Sequence, residues 1–323
     1  MEIDVCFATN DRYAPHAAAL IASIMANKSP DDELSFHFFS DKTTPSVQDA
    51  FRQMSRQMEF GLTIYEMSDE QFGNYPLYLG SRTAYSRLSM PRVLPDSLKK
   101  ILYLDCDMIV TSSLGELYST DISECYAAVV AETLNRHWPI EHAYFNSGMV
   151  LFNLEKYRNE NLEEQAVQFG YEHSDWIRWA DQDILNYIFK GNVAYLPLKW
   201  NMLLDKVARE HILSMDFVIY PYSEDETHEA ENNPRIIHYV TDKKPWLPTC
   251  RHPHKASYWK HVRKTPYYKQ VLREYYKVMP KKSFSQFIKS LKNMRRRIFQ
   301  FRLGRNGYLR LFSKTVFDFT VKS

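Results

Sequence analysis

The sequence predicts an α/β protein with a mostly parallel central sheet, and three observations carry that prediction. Short apolar runs of strand length alternate with longer segments of helical spacing, as expected for consecutive βαβ units. The apolar run 101–104 leads directly into Asp105 and Asp107, so two carboxylates stand at the end of a buried strand. The chain has 323 residues and 45% hydrophobic content, which is enough for a large core.

The predicted elements follow one another in nearly regular alternation. Apolar runs bounded by polar residues predict strands over 3–8, 34–39, 62–65, 101–104, 126–131, 148–153 and 236–239. Apolar residues at helical spacing predict helices over 13–26, 45–58, 83–90, 161–173 and 182–189. Pro15 falls in the first turn of its predicted helix, where the missing N–H is tolerated.

Composition excludes several classes of protein. With nine glycines and no G-x-G-x-x-G or P-loop pattern, the chain has no glycine-rich phosphate loop. It has no uninterrupted apolar stretch of about 18 residues, so no membrane-spanning helix is predicted. The four cysteines form no C-x-x-C pair, which indicates free thiols in a reducing cytosol. The acidic start, Met-Glu-Ile-Asp, differs from a signal peptide, so a cytoplasmic location is expected.

Residues 281–323 differ from the rest of the chain in charge. They carry twelve Lys/Arg and one acid, whereas residues 1–280 carry 29 Lys/Arg and 38 Asp/Glu. Between 284 and 301 the apolar residues fall at helical spacing among basic ones, which predicts a basic amphipathic helix. Docking on an anionic membrane surface is favoured, with a helix packed on the body as the alternative. Nucleic acid is not expected as a partner, because the acidic body would repel it.

Asp105 and Asp107 are the strongest indication of chemistry. In an extended backbone, side chains two residues apart point to the same side, so both carboxylates can face one ligand. Two like charges held that close need a compensating cation. A hard divalent metal is one such cation, and together with two carboxylates it can hold a diphosphate. An acidic turn without a metal is the alternative for the spacing alone.

Three further polar clusters lie where a doubly wound sheet binds its ligand. Residues 8–13 (Ala-Thr-Asn-Asp-Arg-Tyr) follow the first strand and could bind a base and ribose or cap the next helix. Residues 181–183 (Asp-Gln-Asp) begin a helix, where sugar binding and helix capping both stay open. His238 ends the last strand, where an isolated histidine is more often structural. Lys244 follows it and could neutralise a leaving phosphate.

Together, six motifs in this order resemble glycosyltransferase family 8, especially the bacterial lipopolysaccharide galactosyl- and glucosyltransferases. The motifs are Phe7-Ala-Thr-Asn-Asp-x-Tyr13, Thr83-Ala-Tyr-Ser-Arg87-Leu, Tyr103-Leu-Asp-Cys-Asp-Met-Ile-Val110, Phe145-Asn-Ser-Gly-Met149, Asp181-Gln-Asp-Ile-Leu-Asn186 and His238-Tyr…Lys244-Pro-Trp246. The resemblance runs from Ile3 to about Trp246. It implies a GT-A type, Rossmann-like fold and a retaining hexosyl transfer from a UDP-sugar.

The resemblance also implies the cofactor and the partners. UDP-Glc or UDP-Gal would be the donor, a cell-envelope glycan or glycolipid the acceptor, and Mn²⁺ the metal, with Mg²⁺ as the alternative. With the charge pattern, it predicts a GT-A catalytic domain over 1–250, a helical extension over 251–280 and the basic tail over 281–323. The tail would attach the cytoplasmic protein to the inner face of the cell membrane.

By matched position the resemblance assigns the site residues. The metal would be held by Asp105, Asp107 and His238. The uridine pocket would be lined by Ala8, Asn10 and Arg12. The donor sugar would face Arg87, Glu132, Asn146, Ser147, Asp181 and Gln182. Glu132 stands where the family usually has Asp. The catalytic roles would fall to Lys244 at the diphosphate and to Asp181, Gln182 and Asp183.

Several alternatives remain open at this stage. The acceptor could attack from the leaving-group face, or a covalent intermediate could form on Gln182 or Asp183. Asp-x-Asp after an apolar strand also occurs in haloacid-dehalogenase-like phosphohydrolases, although Ile109 departs from their pattern. A membrane-bound scaffold with a decayed nucleotide-sugar site is the third alternative. Thr241 replaces a glycine of the family's late motif, which would weaken donor binding if the backbone there must approach the phosphate.

Overall fold

The computed structural model describes residues 1–67, 83–135, 142–203, 209–210, 213–214 and 218–279. By internal contacts, Met1–Tyr275 form one compact unit and Tyr276–Ser323 form another. The predicted basic tail over 281–323 lies outside the described residues, so its helix stays a prediction, as does the division into three domains. Within the described part of the chain, no helix is long and apolar enough to cross a membrane.

Eleven strands are assigned within the described residues. In chain order they are β1 (Glu2–Thr9), β2 (Glu33–Ser40), β3 (Gly61–Glu66), β4 (Lys100–Leu104), β5 (Met108–Val110), β6 (Ala127–Ala131), β7 (Leu134–Asn135), β8 (Phe145–Asn153), β9 (Val193–Tyr195), β10 (Val218–Ile219) and β11 (Ile236–His238). Seven of them form the central sheet in the order β3-β2-β1-β4-β8-β6-β9. Two small antiparallel pairs, β10 with β7 and β11 with β5, stand beside it.

The central sheet is mostly parallel, as the alternating pattern predicts. Strands β3, β2, β1 and β4 pair in parallel, and so do β6 and β9. Only β8 runs the other way within this sheet, antiparallel to both β4 and β6. Periodicity cannot reveal strand direction, because a buried strand shows the same apolar run whichever way it points. The architecture is thus the α/β class with a mostly parallel central sheet that the sequence predicts.

The helices cover both faces of the sheet. Within the described residues they are α1 (Ala14–Asn27), α2 (Pro45–Met58), α3 (Met90–Val93), α4 (Gly115–Tyr118), α5 (Leu154–Asn159), α6 (Leu162–Glu172), α7 (Asp181–Phe189), α8 (Glu224–Asn232), α9 (Lys255–Val262) and α10 (Tyr268–Lys277). The helix predicted over 83–90 is instead a 3-10 helix, Thr83–Ser89, followed by the short α3. Pro91 lacks the N–H that an α-helix would donate to residue 87, so the regular ladder cannot continue there.

Two apolar clusters sandwich the sheet, one on each face. Phe7 and Phe38 pack in the first cluster with α1 and α2. Cys6, Phe39 and Phe145 pack in the second cluster with α6 and α7. Adjacent residues such as Cys6 and Phe7 go to opposite faces because side chains alternate along a strand. Both faces are therefore buried, which explains why the strands appear in the sequence as continuous apolar runs.

The pairing of β8 with β6 contains an irregularity. Val129 pairs with Val150, but the next residue, Val130, pairs with Asn146. Residues 147–149 are thus left out of the pairing with β6, although Met149 still pairs with Leu104 of β4. Such bulges re-aim the backbone and are common beside functional sites.

Candidate active site

The acidic turn and His238 meet at the carboxyl end of β4. Asp105 and Asp107 follow β4, and β5 then pairs antiparallel with β11, with Met108 opposite His238. The Nε2 atom of His238 lies 3.2 Å from Asp107 Oδ1 and 3.8 Å from Asp105 Oδ2. Within the described residues, this is the one group of three acidic, histidine or cysteine side chains whose ligand atoms could share a metal ion. The pairing of β5 with β11 therefore delivers the third ligand to the acidic turn.

Two cations balance these carboxylates, the buried Arg87 and the partly buried Lys244. Lys244 Nζ donates to Asp107 Oδ2 at 2.6 Å. Burial opposes ionisation of Asp107, but the nearby Lys244 and His238 outweigh it and lower the pKa of Asp107 below its ordinary value. Arg87 is 4% exposed, and its Nη2 lies 2.9 Å from Asp105 Oδ1. Each aspartate thus has a cationic partner, and both carboxylates are turned toward the same space.

Arg87 also binds the start of α7. Its Nε lies 3.0 Å from Asp181 Oδ2, and its guanidinium carbon stands 4.0 Å from the centre of the Tyr103 ring. The Asp181 contact is an ion pair without hydrogen-bond alignment, since Oδ2 has no aligned donor. Burial raises the pKa of Asp181 to about 7, although the charge of Arg87 opposes this shift. Arg87 therefore links the acidic turn to the Asp-Gln-Asp motif.

The donor set fits a divalent cation. Two carboxylates and an imidazole suit Mn²⁺ better than Mg²⁺, which prefers oxygen ligands and water. The backbone at Gly148 is packed against the site so closely that a Cβ there would lie 2.4 Å from His238 Cε1 and 2.7 Å from Asp105 Oδ2. His238 Nδ1 contacts Asn201 Oδ1 at 3.0 Å, the supporting bond that a metal-ligating histidine usually makes.

A cluster of amides and one carboxylate lies beside the metal ligands. Asn146 Nδ2 donates to Glu132 Oε2 at 3.0 Å and to Gln182 Oε1 at 3.1 Å. Gln182 Nε2 donates to the same Glu132 oxygen at 3.0 Å, while Ser147 N–H donates to Gln182 Oε1 at 3.1 Å. Burial raises the pKa of Glu132, and its two amide donors oppose that shift. Glu132, Asn146, Ser147 and Gln182 therefore form one connected group.

Asp183 has a different environment from its two neighbours in the motif. It is fully buried, accepts a 2.5 Å hydrogen bond from the Tyr144 hydroxyl, and accepts 2.7 Å bonds from the N–H groups of Arg178 and Trp179. Its contacts are those of a residue that fixes the loop before α7, whereas α7 itself has no side-chain cap hydrogen bond. Just before the motif, Ala180 adopts φ 52 and ψ −127, a sparsely populated backbone conformation for a residue with a side chain.

The cluster after β1 touches the acidic turn. The Cys106 thiol donates to the carbonyl oxygen of Ala8 at 3.3 Å. Asn10 Oδ1 accepts from the N–H groups of Arg12 and Tyr13 at 3.1 and 3.2 Å, so its side chain helps to begin α1. Ala8 thus contacts the acidic turn, and the contact of Ala8, Asn10 and Arg12 with uridine stays a prediction.

The matched family is decided by a comparison of the whole sequence. Residues 4–250 match the sequence model of Glycosyl transferase family 8. The chain is a family 8 glycosyltransferase. It is 26% identical over 268 residues to General stress protein A of Bacillus subtilis (strain 168), an alignment that spans 78% of this chain and 90% of that protein. It is 24% identical over 259 residues to the lipopolysaccharide 1,2-glucosyltransferase of Escherichia coli (strain K12), over 76% of this chain and 72% of that enzyme.

The fold of this family 8 glycosyltransferase is found in solved structures. The galactosyltransferase LgtC, crystallised with donor and acceptor sugar analogs, superposes with a TM-score of 0.70 at 24% sequence identity. The superposition covers 82% of this chain and 96% of that one. At this level of identity the likeness supports the fold alone, which is the GT-A type of α/β fold.

The one departure from the family's late motif causes no backbone strain in this glycosyltransferase. Thr241 is exposed and does not belong to the five non-glycine residues with positive φ among the described residues. A glycine's special conformation is therefore not required at this position.

One residue of this glycosyltransferase site was missed by the sequence analysis. Asn201 is fully buried, and it contacts both His238 and Asn146 at 3.0 Å. It follows Trp200 in the mostly apolar segment 196–203, which has no recognisable motif. No local pattern indicated it, because its two partners lie far away in the sequence.

The loop that carries Lys244 is anchored by a buried aromatic stack. The His16 ring of α1 lies 3.4 Å from the Trp246 ring, nearly parallel to it at 11°. His16 Nδ1 contacts the Tyr258 hydroxyl at 2.8 Å. Burial lowers the pKa of His16 to about 3, so the stack contains a neutral imidazole at physiological pH.

This stack predicts a pH dependence of folding stability. The unfolded chain binds a proton at His16 below about pH 6.5, but the folded protein does so only near pH 3. The free energy of unfolding should therefore fall as pH drops through this window, by up to ~1.4 kcal/mol per pH unit from this group. His16→Phe should reduce the slope by one proton, measured by urea unfolding between pH 7 and pH 4. The control His228→Phe, at an exposed position on α8, should retain the wild-type slope, and an unchanged slope in His16→Phe would contradict the prediction.

Proposed function

We propose that the protein is a retaining hexosyltransferase that moves glucose or galactose from UDP to a cell-envelope glycan or glycolipid, with Mn²⁺ as its metal. The observation that carries the proposal is the convergence of Asp105, Asp107 and His238 beside Lys244 and the Gln182 cluster. The relatives named for glucosyl and galactosyl transfer onto lipopolysaccharide support the choice of sugar and acceptor.

The residues divide the work between the two halves of the donor. Asp105, Asp107 and His238 would hold the divalent ion, which when bound neutralises the diphosphate and stabilises UDP as it leaves. Lys244 Nζ, now on Asp107, lies where it can also pair with a phosphate oxygen and stabilise the same developing charge. Ala8, Asn10 and Arg12 would contact the uridine, and Glu132, Asn146 and Gln182 the hexose.

Retention is proposed to occur by attack from the leaving-group face. A covalent route needs a free nucleophile beside the sugar. Asp183 accepts three hydrogen bonds and is fully buried, and Gln182 is a neutral amide engaged at both ends. Asp181 is paired with Arg87. The acceptor hydroxyl would therefore transfer its proton to a phosphate oxygen as the bond to UDP breaks. Mass-spectrometric trapping of glycosylated Gln182 or Asp183 would disprove this route.

Release of UDP from a panel of UDP-sugars tests the proposed activity. The protein should hydrolyse UDP-Glc or UDP-Gal slowly without acceptor when Mn²⁺ is present, and EDTA should abolish the reaction. Mg²⁺ in place of Mn²⁺ tests the alternative metal. The phosphohydrolase alternative has no support from the family match. Hydrolysis of small phosphates is therefore not expected in the same assay. Binding of UDP-sugars without turnover on any acceptor would instead favour the scaffold interpretation.

The basic tail makes a separate prediction. At ~1 kcal/mol for each basic residue near an anionic surface, the twelve Lys/Arg of 281–323 should hold the protein on vesicles that contain phosphatidylserine. Truncation after Met279 should abolish sedimentation with these vesicles and leave UDP-sugar hydrolysis intact. A full-length variant with the basic residues of 281–302 changed to Gln tests the charge without shortening the chain, and it should also be released from the vesicles. Unchanged vesicle binding in both variants would rule out the membrane role.

A further inference from the structure

Asn201 connects the metal ligand His238 to the amide cluster around Gln182. Its Oδ1 lies 3.0 Å from His238 Nδ1, and its Nδ2 lies 3.0 Å from Asn146 Oδ1. The segment is fixed by the backbone, since Met202 N–H donates to Ile236 O and His238 N–H donates to Met202 O. Asn201 is fully buried, so no solvent competes for either end of its amide.

One backbone donor, Gly148 N–H, fixes the direction of the hydrogen bonds that link Asn146, Asn201 and His238. Gly148 N–H can only donate, and it lies 3.0 Å from Asn146 Oδ1, which must therefore be the carbonyl oxygen. Asn146 then presents its NH₂ group to Glu132 and Gln182, both acceptors. Because Asn146 Oδ1 is an acceptor, Asn201 must present Nδ2 to it.

The last of these hydrogen bonds determines which ring nitrogen of His238 carries a proton. With Nδ2 committed to Asn146, Asn201 Oδ1 faces His238 Nδ1, and an amide oxygen can only accept. The neutral imidazole must then carry its proton on Nδ1, which leaves the lone pair on Nε2. Nε2 is the atom directed at Asp105 and Asp107. The hydrogen bonds thus select, for the neutral imidazole, the tautomer that a metal needs.

We infer that Asn201 is a positioning residue that locks His238 in the Nδ1–H form and couples the metal site to Gln182 through Asn146. The other end of the coupling is anchored in the same way, because Ser147 N–H fixes Gln182 Oε1 as the carbonyl end of its amide. Two successive backbone N–H groups of β8 therefore orient the two amides: Ser147 N–H orients Gln182, and Gly148 N–H orients Asn146. The turnover and Mn²⁺-binding measurements below rest on the proposed function, whereas the tautomer measurement does not.

The first test is independent of catalysis. Nitrogen-15 NMR of the ion-free, full-length protein near pH 8 should show His238 with its proton on Nδ1, the signal being assigned by its loss in His238→Gln. Asn201→Leu, which keeps the volume but removes both polar ends, should lose this tautomer preference. It should also weaken Mn²⁺ binding about 10- to 100-fold by titration calorimetry. A wild-type His238 with a proton on Nε2 and none on Nδ1, or wild-type Mn²⁺ affinity in folded Asn201→Leu, would overturn the inference.

A second variant separates the two ends of the amide and covers the case in which Asn201→Leu does not fold. Asn201→Asp keeps an acceptor for His238 Nδ1–H but loses the donor to Asn146 Oδ1. It should retain the tautomer and Mn²⁺ binding, while kcat for UDP-sugar turnover falls. If folded Asn201→Asp loses Mn²⁺ binding to the same extent as Asn201→Leu, the identity of the atoms does not matter, and the inference is wrong.

Asn153 provides the matched control. It is an asparagine at the other end of β8, where its Oδ1 caps α5 and its Nδ2 donates to Ile122 O and Cys125 O. Asn153→Leu should lower the melting temperature and leave the His238 tautomer and Mn²⁺ affinity unchanged. Loss of either in Asn153→Leu would mean that general destabilisation explains the Asn201 effects, and would overturn the inference.

Discussion

Replacing Asp107 by Asn is expected to lower Mn²⁺-dependent UDP release by on the order of 10³-fold in kcat/KM. The substitution keeps the shape of the side chain but removes the charge that faces His238 Nε2 at 3.2 Å and Lys244 Nζ at 2.6 Å. A metal ligand and the partner of the partly buried Lys244 ammonium are lost together. Mn²⁺ affinity, measured by calorimetry on the same preparation, should fall in parallel.

The control for this substitution is Asp49→Asn on α2. Asp49 pairs with Arg52 at 2.9 Å, but the pair is exposed, and such surface pairs contribute about 0–1 kcal/mol. It makes the same chemical change without touching the candidate site, so activity and metal affinity should stay at the wild-type level. Retained Mn²⁺-dependent activity in Asp107→Asn would remove Asp107 from the metal site.

Replacing Gly148 by Ala is expected to abolish metal binding and to lower the free energy of unfolding by ~1–3 kcal/mol. The new methyl carbon would lie 2.4 Å from His238 Cε1, 2.7 Å from Asp105 Oδ2 and 2.9 Å from Asn146 Oδ1. All three neighbours belong to the site, so relief of the clash must displace at least one of them. Calorimetric titration with Mn²⁺ and thermal unfolding of the same sample measure the two effects.

Gly115→Ala is the matched control for Gly148→Ala. At Gly115 the nearest atom to an added Cβ is Ser113 Oγ at 3.4 Å, an ordinary contact, and the position lies in α4 away from the metal ligands. This variant should bind Mn²⁺ as the wild type does. If Gly148→Ala also bound Mn²⁺ normally, the close packing of β8 against His238 would not be a requirement of the site.

The parts of the site that the sequence predicted are those whose geometry is local. Asp105 and Asp107 stand two residues apart after a strand, so strand geometry alone brings them to one side. The helix over 45–58 was predicted with its observed bounds because the signals are local: Pro45 stands in its first turn, and the apolar residues follow at helical spacing. The family resemblance supplied His238 and Arg87, which no local pattern connects to the acidic turn.

The parts that could not be predicted depend on tertiary pairing. Asn201 lies 37 residues from His238 in the chain, and the bridge between Met202 and Ile237 helps to bring them together. Asp183 and Asp181 share a motif, yet the direction of α7 buries one against Tyr144 and pairs the other with Arg87. Spacing along a helix cannot distinguish these environments without knowledge of what surrounds the helix.

The irregular pairing of β8 with β6 implies a trade-off between robustness and activity within a single strand. Residues 147–149 have no partners in β6, so the N–H groups of Ser147 and Gly148 are free to orient Gln182 and Asn146. A regular ladder would direct these groups to neighbouring backbone instead. Selection for thermostability alone should therefore favour variants with a shortened β8 that pairs regularly with β6. Such variants should fold well and be inactive.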